Sequence, residues 1–289
     1  MKANKVYSNW FLIPAVSLYT ILFIIPVIIG FTYSFTNWNS MSDAVKFIGL
    51  KNYQEIFTLN SPYLYSIIIT FVFTFFTIIF KGTLGLGLAL LLNSNIKCKN
   101  VLRGIFFLPY ALSPLIIGIV FISVLSPNGI FNEFLRLIGF DSIAKGWLTT
   151  PNTVLGATIG VESWRMIGWN MVIYLAGLQA IPKDYYEASS IDGASAWVQF
   201  IKITIPFLMP SLTITTVLNT IHGLKTFDLI FALTGGGPGS LTEVINVSVF
   251  REYSLGRYGM STALGVVVFL ITSIIALTMK NVMTGKEVK

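Results

Sequence analysis

Six stretches of this chain are long and apolar enough to cross a lipid bilayer, and they constrain every fold open to it. They cover residues 11–34, 63–92, 104–125, 153–179, 205–232 and 260–279. A spanning helix needs about 20 mostly apolar residues. The composition agrees, with 54% hydrophobic and only 11% charged residues, where a soluble domain carries about 25% charged. The expected class is an all-α membrane protein with six transmembrane helices, one integral membrane domain over residues 1–289. Lys2 and Lys5 precede the first run as they would in a signal peptide. That run is too long for a typical cleavable segment and no small-x-small site follows it, so it reads as a retained first helix.

Charge orients the helices. The formal net charge of +7 is spread singly between apolar runs, the pattern of cationic loops rather than of a nucleic-acid surface. With the amino terminus inside, the inner segments hold ten cations: Lys2, Lys5, Lys97, Lys99, Arg103, Lys183, Lys202, Lys280, Lys286 and Lys289. The longer outer segments hold six: Lys46, Lys51, Arg136, Lys145, Arg251 and Arg257. The denser side is cytoplasmic by the positive-inside rule, which puts both termini and the loop at about 182–206 in the cytoplasm. Cys98 and His222 are the only residues of their kinds. They cannot supply a disulfide framework or a metal centre built on Cys or His, so no metal site is expected.

That loop is the one polar island among the runs. Pro182 followed by Lys183-Asp184-Tyr185-Tyr186-Glu187 reads as a helix start, since proline is tolerated there and acids favour the first turn. Asp192-Gly193 reads as the stop, because glycine reaches the left-handed conformation of a tight turn. A second helix then shows Ala194, Trp197, Val198, Ile201 and Ile205 on one face, with Pro206 and Pro210 marking the join to the next run. The predicted shape is helix, glycine turn, helix, lying against the membrane surface. Elsewhere, Gly82, Gly85 and Gly87 would let neighbouring helices approach closely, while Pro109 and Pro114 would kink the third helix. There is no convincing internal repeat.

The island resembles the EAA loop of the permease subunits of binding-protein-dependent ABC importers. Glu187-Ala188-Ser189, Asp192-Gly193-Ala194, Phe200, Ile203 and Ile205-Pro206 follow the family pattern, departing from it at Ser189 and Ile205. Tyr174-Leu175-Ala176-Gly177-Leu178-Gln179-Ala180-Ile181-Pro182 and Leu233-Thr234-Gly235-Gly236-Gly237-Pro238 with Thr242-Glu243 are similar to the carbohydrate-uptake branch, including the maltose and glycerol-phosphate permeases. The resemblance implies a multi-pass protein of the bacterial cytoplasmic (inner) membrane. Its partners would be a second homologous permease, two ATP-binding subunits, an extracytoplasmic solute-binding protein and membrane lipid. Glu187, Ala188, Asp192, Gly193 and Ala194 would then form the ATPase-coupling loop. ATP and Mg would be bound by the partner ATPases, with no cofactor in this chain.

The residues agree with a transport subunit that does no covalent chemistry. No G-x-x-x-x-G-K-[ST] occurs, and Gly235-Gly236-Gly237-Pro238-Gly239 lacks the lysine of a phosphate cradle. Arg165 lies three residues after Glu162, and Asp228 three after Lys225, so each pair shares a helix face. These pairs either neutralise charge inside the bundle or meet substrate. Lys81 has no local partner, and either pairs across helices or snorkels. Trp164, Trp169, Asn170, Tyr174 and Asn219 offer aromatic faces and amides suited to a sugar, or else serve helix packing. The candidate substrate path is therefore Trp164, Arg165, Asn170, Tyr174, Asn219, Lys225 and Asp228. The solute would be a sugar or oligosaccharide, with glycerol-phosphate or an acidic sugar as alternatives. Outside this family, an ion-coupled secondary transporter would use Glu162 and Asp228, and a membrane-embedded enzyme would lack a nucleophile or metal cluster.

Overall fold

The computed structural model describes residues 9–41, 44–94 and 96–284. Among them every regular element is a helix, and the only strand-like pairing is one isolated bridge between Thr36 and Phe47. In chain order the helices are α1 (Trp10–Tyr33), α2 (Lys51–Phe57), α3 (Pro62–Asn93), α4 (Lys99–Ala111), α5 (Pro114–Val124) and α6 (Ile130–Leu137). They continue with α7 (Pro151–Gln179), α8 (Lys183–Ile191), α9 (Ala196–Leu224), α10 (Asp228–Thr234), α11 (Ile245–Ser254) and α12 (Tyr258–Thr284). Lys2, Lys5, Lys286 and Lys289, which entered the orientation count, lie outside the described residues.

The chain forms two compact units. One comprises the residues up to Ser61 together with Ser248–Val267. Here α1 has no buried residue and presents Trp10, Phe11, Leu22 and Phe23 outward. Buried Asn52 of α2 donates to the carbonyls of Ser34 and Thr36 at 2.8 and 2.9 Å, fixing the chain as it leaves α1. Gly259 N–H donates to the Trp38 carbonyl at 2.8 Å, and the Trp38 ring lies 4.7 Å from that of Tyr258.

The other unit holds Pro62–Val247 and Val268–Lys289. Its spine is α3 against α7. A Cβ at Gly85 would sit 2.6 Å from Asn170 Cβ, so only glycine allows the two helices this close. Gly82 is looser and Gly87 faces open space, so of the three α3 glycines only Gly85 requires the close approach. Ala89, Leu92, Met171, Leu175 and Leu208 form one apolar cluster along α3, α7 and α9. Ile117, Val161, Leu229 and Leu233 form another, which seats α10 against α5 and α7.

Among the described residues, four helices are long and apolar enough to cross a membrane: α1, α3, α9 and the Tyr258–Val282 part of α12. Two of the predicted spans are not single helices. The run at 104–125 is divided into α4 and α5, which meet at 97°. The cause is local: Pro114 cannot donate to a preceding turn and holds Ser113 extended at ψ 132°. The run at 205–232 ends as a helix at Leu224, and Phe227 at φ −148° precedes the separate α10. No proline or glycine lies between residues 224 and 228. Leu229 and Leu233 of α10 pack instead with Ile117 of α5 and Val161 of α7. The other four predicted runs are each a single helix within a few residues of its predicted limits, but α7, over the run at 153–179, is not among the helices apolar enough to count as a span.

Candidate functional site

The polar island at 182–206 folds as predicted through its turn. Pro182 is extended at ψ 136° and caps α8, with Asp184 in the first turn. Gly193 adopts φ +77°. Gly193 N–H reaches the Ser190 carbonyl at 3.1 Å and Ala194 N–H reaches that of Ser189 at 2.9 Å, which closes the helix in a Schellman turn. Ser195 caps α9 by accepting from Val198 N–H at 3.4 Å. Gln199 Nε2 then bridges the two helices, donating to Ser189 Oγ at 3.0 Å and Ser190 Oγ at 2.9 Å. Tyr186 Oη and Thr204 Oγ1, 2.9 Å apart, clamp the base.

This elbow is rigid yet uncovered. Glu187, Ala188, Asp192 and Gly193 are exposed and Ala194 is half-buried. Ile191 is 87% and Trp197 68% exposed, too much apolar surface for a finished exterior. Two details differ from the sequence reading. Ala194 lies in the turn, ahead of the face formed by Trp197, Val198 and Ile201. Pro206 does not mark a join, because a wider π turn over Phe200–Thr204 carries the helix past it unbroken.

Within the helices, the second constellation centres on Glu162, which is fully buried. Lys81 Nζ donates to its Oε1 at 2.7 Å, and Arg165 grips both oxygens through Nε at 3.1 Å and Nη2 at 3.3 Å. Arg165 Nη2 also lies 3.3 Å from His222 Nε2. A guanidinium only donates, so Nε2 accepts and the ring proton sits on Nδ1, 3.4 Å from Glu162 Oε1. Lys81 is on α3, Glu162 and Arg165 on α7, and His222 on α9. Arg165 and Lys81 are also buried, so two formal cations share one carboxylate away from water.

The cluster forms one wall of a cavity of about 290 Å³. Glu162, Arg165, Leu218, Ile221 and His222 line it together with Lys225, Phe227 and Asp228. Lys225 and Asp228 are exposed. The helix ends between them, and no ion pair joins them among the described residues. The expected same-helix pairing therefore does not form, and both side chains are left at the cavity. The Glu162–Arg165 pair does form, and Lys81 pairs across helices.

The remaining candidates lie elsewhere. Asn219 donates to Asn170 Oδ1 at 2.7 Å and Thr215 to Tyr174 Oη at 2.9 Å, all four buried where α7 meets α9. They act there as polar glue between helices. Trp164 lies tilted against Phe121, with ring centroids 5.2 Å apart, and lines a different cavity, between α3 and α7. Trp169 lies 6.1 Å from Tyr110. Leu218, Ile221, Thr226, Phe227 and Leu229 are the cavity residues that the sequence did not single out. They are ordinary members of apolar runs, and nothing in residue type marks them as cavity-lining.

The sequence pattern of the binding-protein-dependent transport system inner membrane component family matches residues 82–284. The chain belongs to that family. This permease is 34% identical over 290 residues to the probable starch degradation products transport system permease protein AmyD of Thermoanaerobacterium thermosulfurigenes, covering 99% of this chain and 97% of the relative. It is 34% identical over 261 residues to the trehalose/maltose transport system permease protein MalF of Thermococcus litoralis, covering 90% and 88%. Among solved structures, its fold matches a chain of a bacterial ABC transporter involved in import of the acidic polysaccharide alginate. The TM-score is 0.82 at 24% identity, with 96% of each chain covered. Membership places the permease among transport components of the membrane and sets aside both the ion-coupled carrier and the membrane-embedded enzyme.

Proposed function

We propose that this permease is the transmembrane subunit of an ATP-driven ABC importer that brings a sugar or oligosaccharide into the cell. It spans the bacterial cytoplasmic membrane six times, counting α4–α5 and the polar α7, with both termini inside. A second permease completes the path, and an extracytoplasmic solute-binding protein delivers the solute. Two ATP-binding subunits hold ATP and Mg and drive the cycle. The solute reading is supported by relatives named for starch products and for trehalose and maltose.

The observation that carries the coupling role is the elbow: a cytoplasmic-side helical pair, internally clamped by Gln199 and left exposed at Glu187, Ile191 and Trp197. A rigid projection moves its helix as a body when a partner pulls it. In the cavity, Arg165, Lys225 and Asp228 are the substrate-facing groups. Their charged donors and acceptors suit hydroxyl-rich ligands. Glu187→Ala in the reconstituted complex tests the reading. Loss of ATPase stimulation by loaded binding protein is expected, in a complex that still assembles or assembles weakly. Unchanged stimulation with unchanged assembly refutes it.

A further inference from the structure

The connection between α5 and α7 is fastened to the end of the bundle, yet one face of its helix, α6, is uncovered. Gly129 lies against the last turn of α5, where a Cβ would collide with the Ser123 and Val124 carbonyl oxygens. α6 therefore starts level with the end of that apolar helix. Buried Asn132 ties the connection together. Its Nδ2 reaches the carbonyls of Ser126, Pro127 and Lys145 at 2.9, 3.2 and 2.7 Å, and its Oδ1 accepts from Trp147 Nε1 at 2.8 Å. Trp147 and Leu148 pack against the cluster of Ile117, Leu125 and Val161, which holds α6 beside the bundle.

At 3.6 residues per turn, the side chains of α6 fall into three sectors. Asn132 and Leu135 share the buried one. Glu133 and Arg136 share a second, exposed and charged. Ile130, Phe134, Leu137 and Ile138 share the third, which is apolar and also exposed, Leu137 by 85%. A helix lying along a bilayer surface at the edge of a bundle needs three such sides, toward protein, water and lipid. Other occupants fit the apolar sector less well. A water-borne protein would arrive from the charged side. A membrane helix of another subunit packs on small or hydrogen-bonding residues, and this sector has neither. The chain also enters α6 directly from Ile119, Val120 and Ile122 of α5, which face outward. Trp147, with Lys145 5.4 Å over its ring, adds an aromatic of the kind that collects at membrane–water boundaries. We propose that α6 is an interfacial helix whose partner is the lipid bilayer, with Ile130, Phe134, Leu137 and Ile138 set between headgroups and acyl chains. This seat in the membrane is independent of which solute is carried.

Depth-dependent quenching supplies the test. The tagged chain, purified with the subunits that accompany it, is placed in nanodiscs of phosphatidylethanolamine and phosphatidylglycerol. Cys98 is exposed, and Cys98→Ser makes any introduced label unique. A fluorophore is attached at Leu137→Cys in the apolar sector or at Glu133→Cys in the charged one. Both side chains are exposed, so neither substitution removes a buried contact. Lipids brominated on the upper acyl chain should quench the Leu137→Cys label at least about threefold more than the Glu133→Cys label. They should also quench it more than lipids brominated at the chain end. Added solute-binding protein should leave the Leu137→Cys signal unchanged. Equal quenching at the two positions overturns the proposal, and so does strongest quenching by chain-end bromines. A Leu137→Cys label that no lipid quenches, or that loaded binding protein shields, assigns the sector to a protein and overturns it as well.

Discussion

The elbow at 182–199 and the charge cluster around Glu162 are built on opposite plans. Every hydrogen bond that shapes the elbow joins residues at most 18 apart, and its key groups face outward. The cluster joins Lys81 to Glu162 across 81 positions and Arg165 to His222 across 57, and its carboxylate is fully buried. A device that meets a partner can be specified locally and left exposed. A device that holds charge inside a bundle needs several helices at once, because each ion requires an opposite one at contact distance. The first should therefore fail in function while the fold survives, and the second should fail in stability first.

The largest effect that would break this contrast is at Glu162. Glu162→Ala leaves two buried cations without their carboxylate, and a loss of about 3–5 kcal/mol is expected, read as a large drop in unfolding temperature in detergent. Replacing Lys81, Glu162 and Arg165 together by Met, Leu and Leu should recover most of that stability. Uptake should stay abolished if Arg165 meets substrate, so the triple variant separates the structural role from the transport role. Next comes Gly193→Val at φ +77°, with a cost of about 1–2 kcal/mol for the left-handed backbone. Its ATPase stimulation should fall far more than its melting temperature. Gln199→Ala removes the bridge to Ser189 and Ser190 and should cost about 0.5–1.5 kcal/mol, with weakened coupling read from the ratio of transport to hydrolysis. Smallest in stability is Lys225→Met, exposed at the cavity, within about 0.5 kcal/mol of wild type. A changed half-saturation for uptake without a change in melting would place Lys225 on the substrate side.

What was legible in the sequence follows the same division. Pro182, the Asp192-Gly193 stop and the exposed acids set the elbow, because caps and turns obey rules that act over a few residues. The break at Pro114 was legible as a kink and proved to be a 97° bend. The end of α9 at Leu224 was not legible, since apolar residues resume after Lys225 and Asp228 through Ala232 and no proline or glycine lies between residues 224 and 228. Asn170, Tyr174 and Asn219 carried the right chemistry for a ligand, yet face other helices. Residue type reports what a side chain can bond, not which neighbour arrives.

The sequence by itself determined that this is an all-helical membrane protein, where four of its six long apolar runs lie to within a few residues, and how its exposed elbow turns. Those properties follow from apolar run length and local backbone chemistry. Only the tertiary structure decided that Lys81 shares Glu162 with Arg165, and that Lys225 and Asp228 stay apart at a cavity. Each of those depends on which faces of α3, α7 and α9 come together, and helix packing chooses among faces that a single helix presents equally.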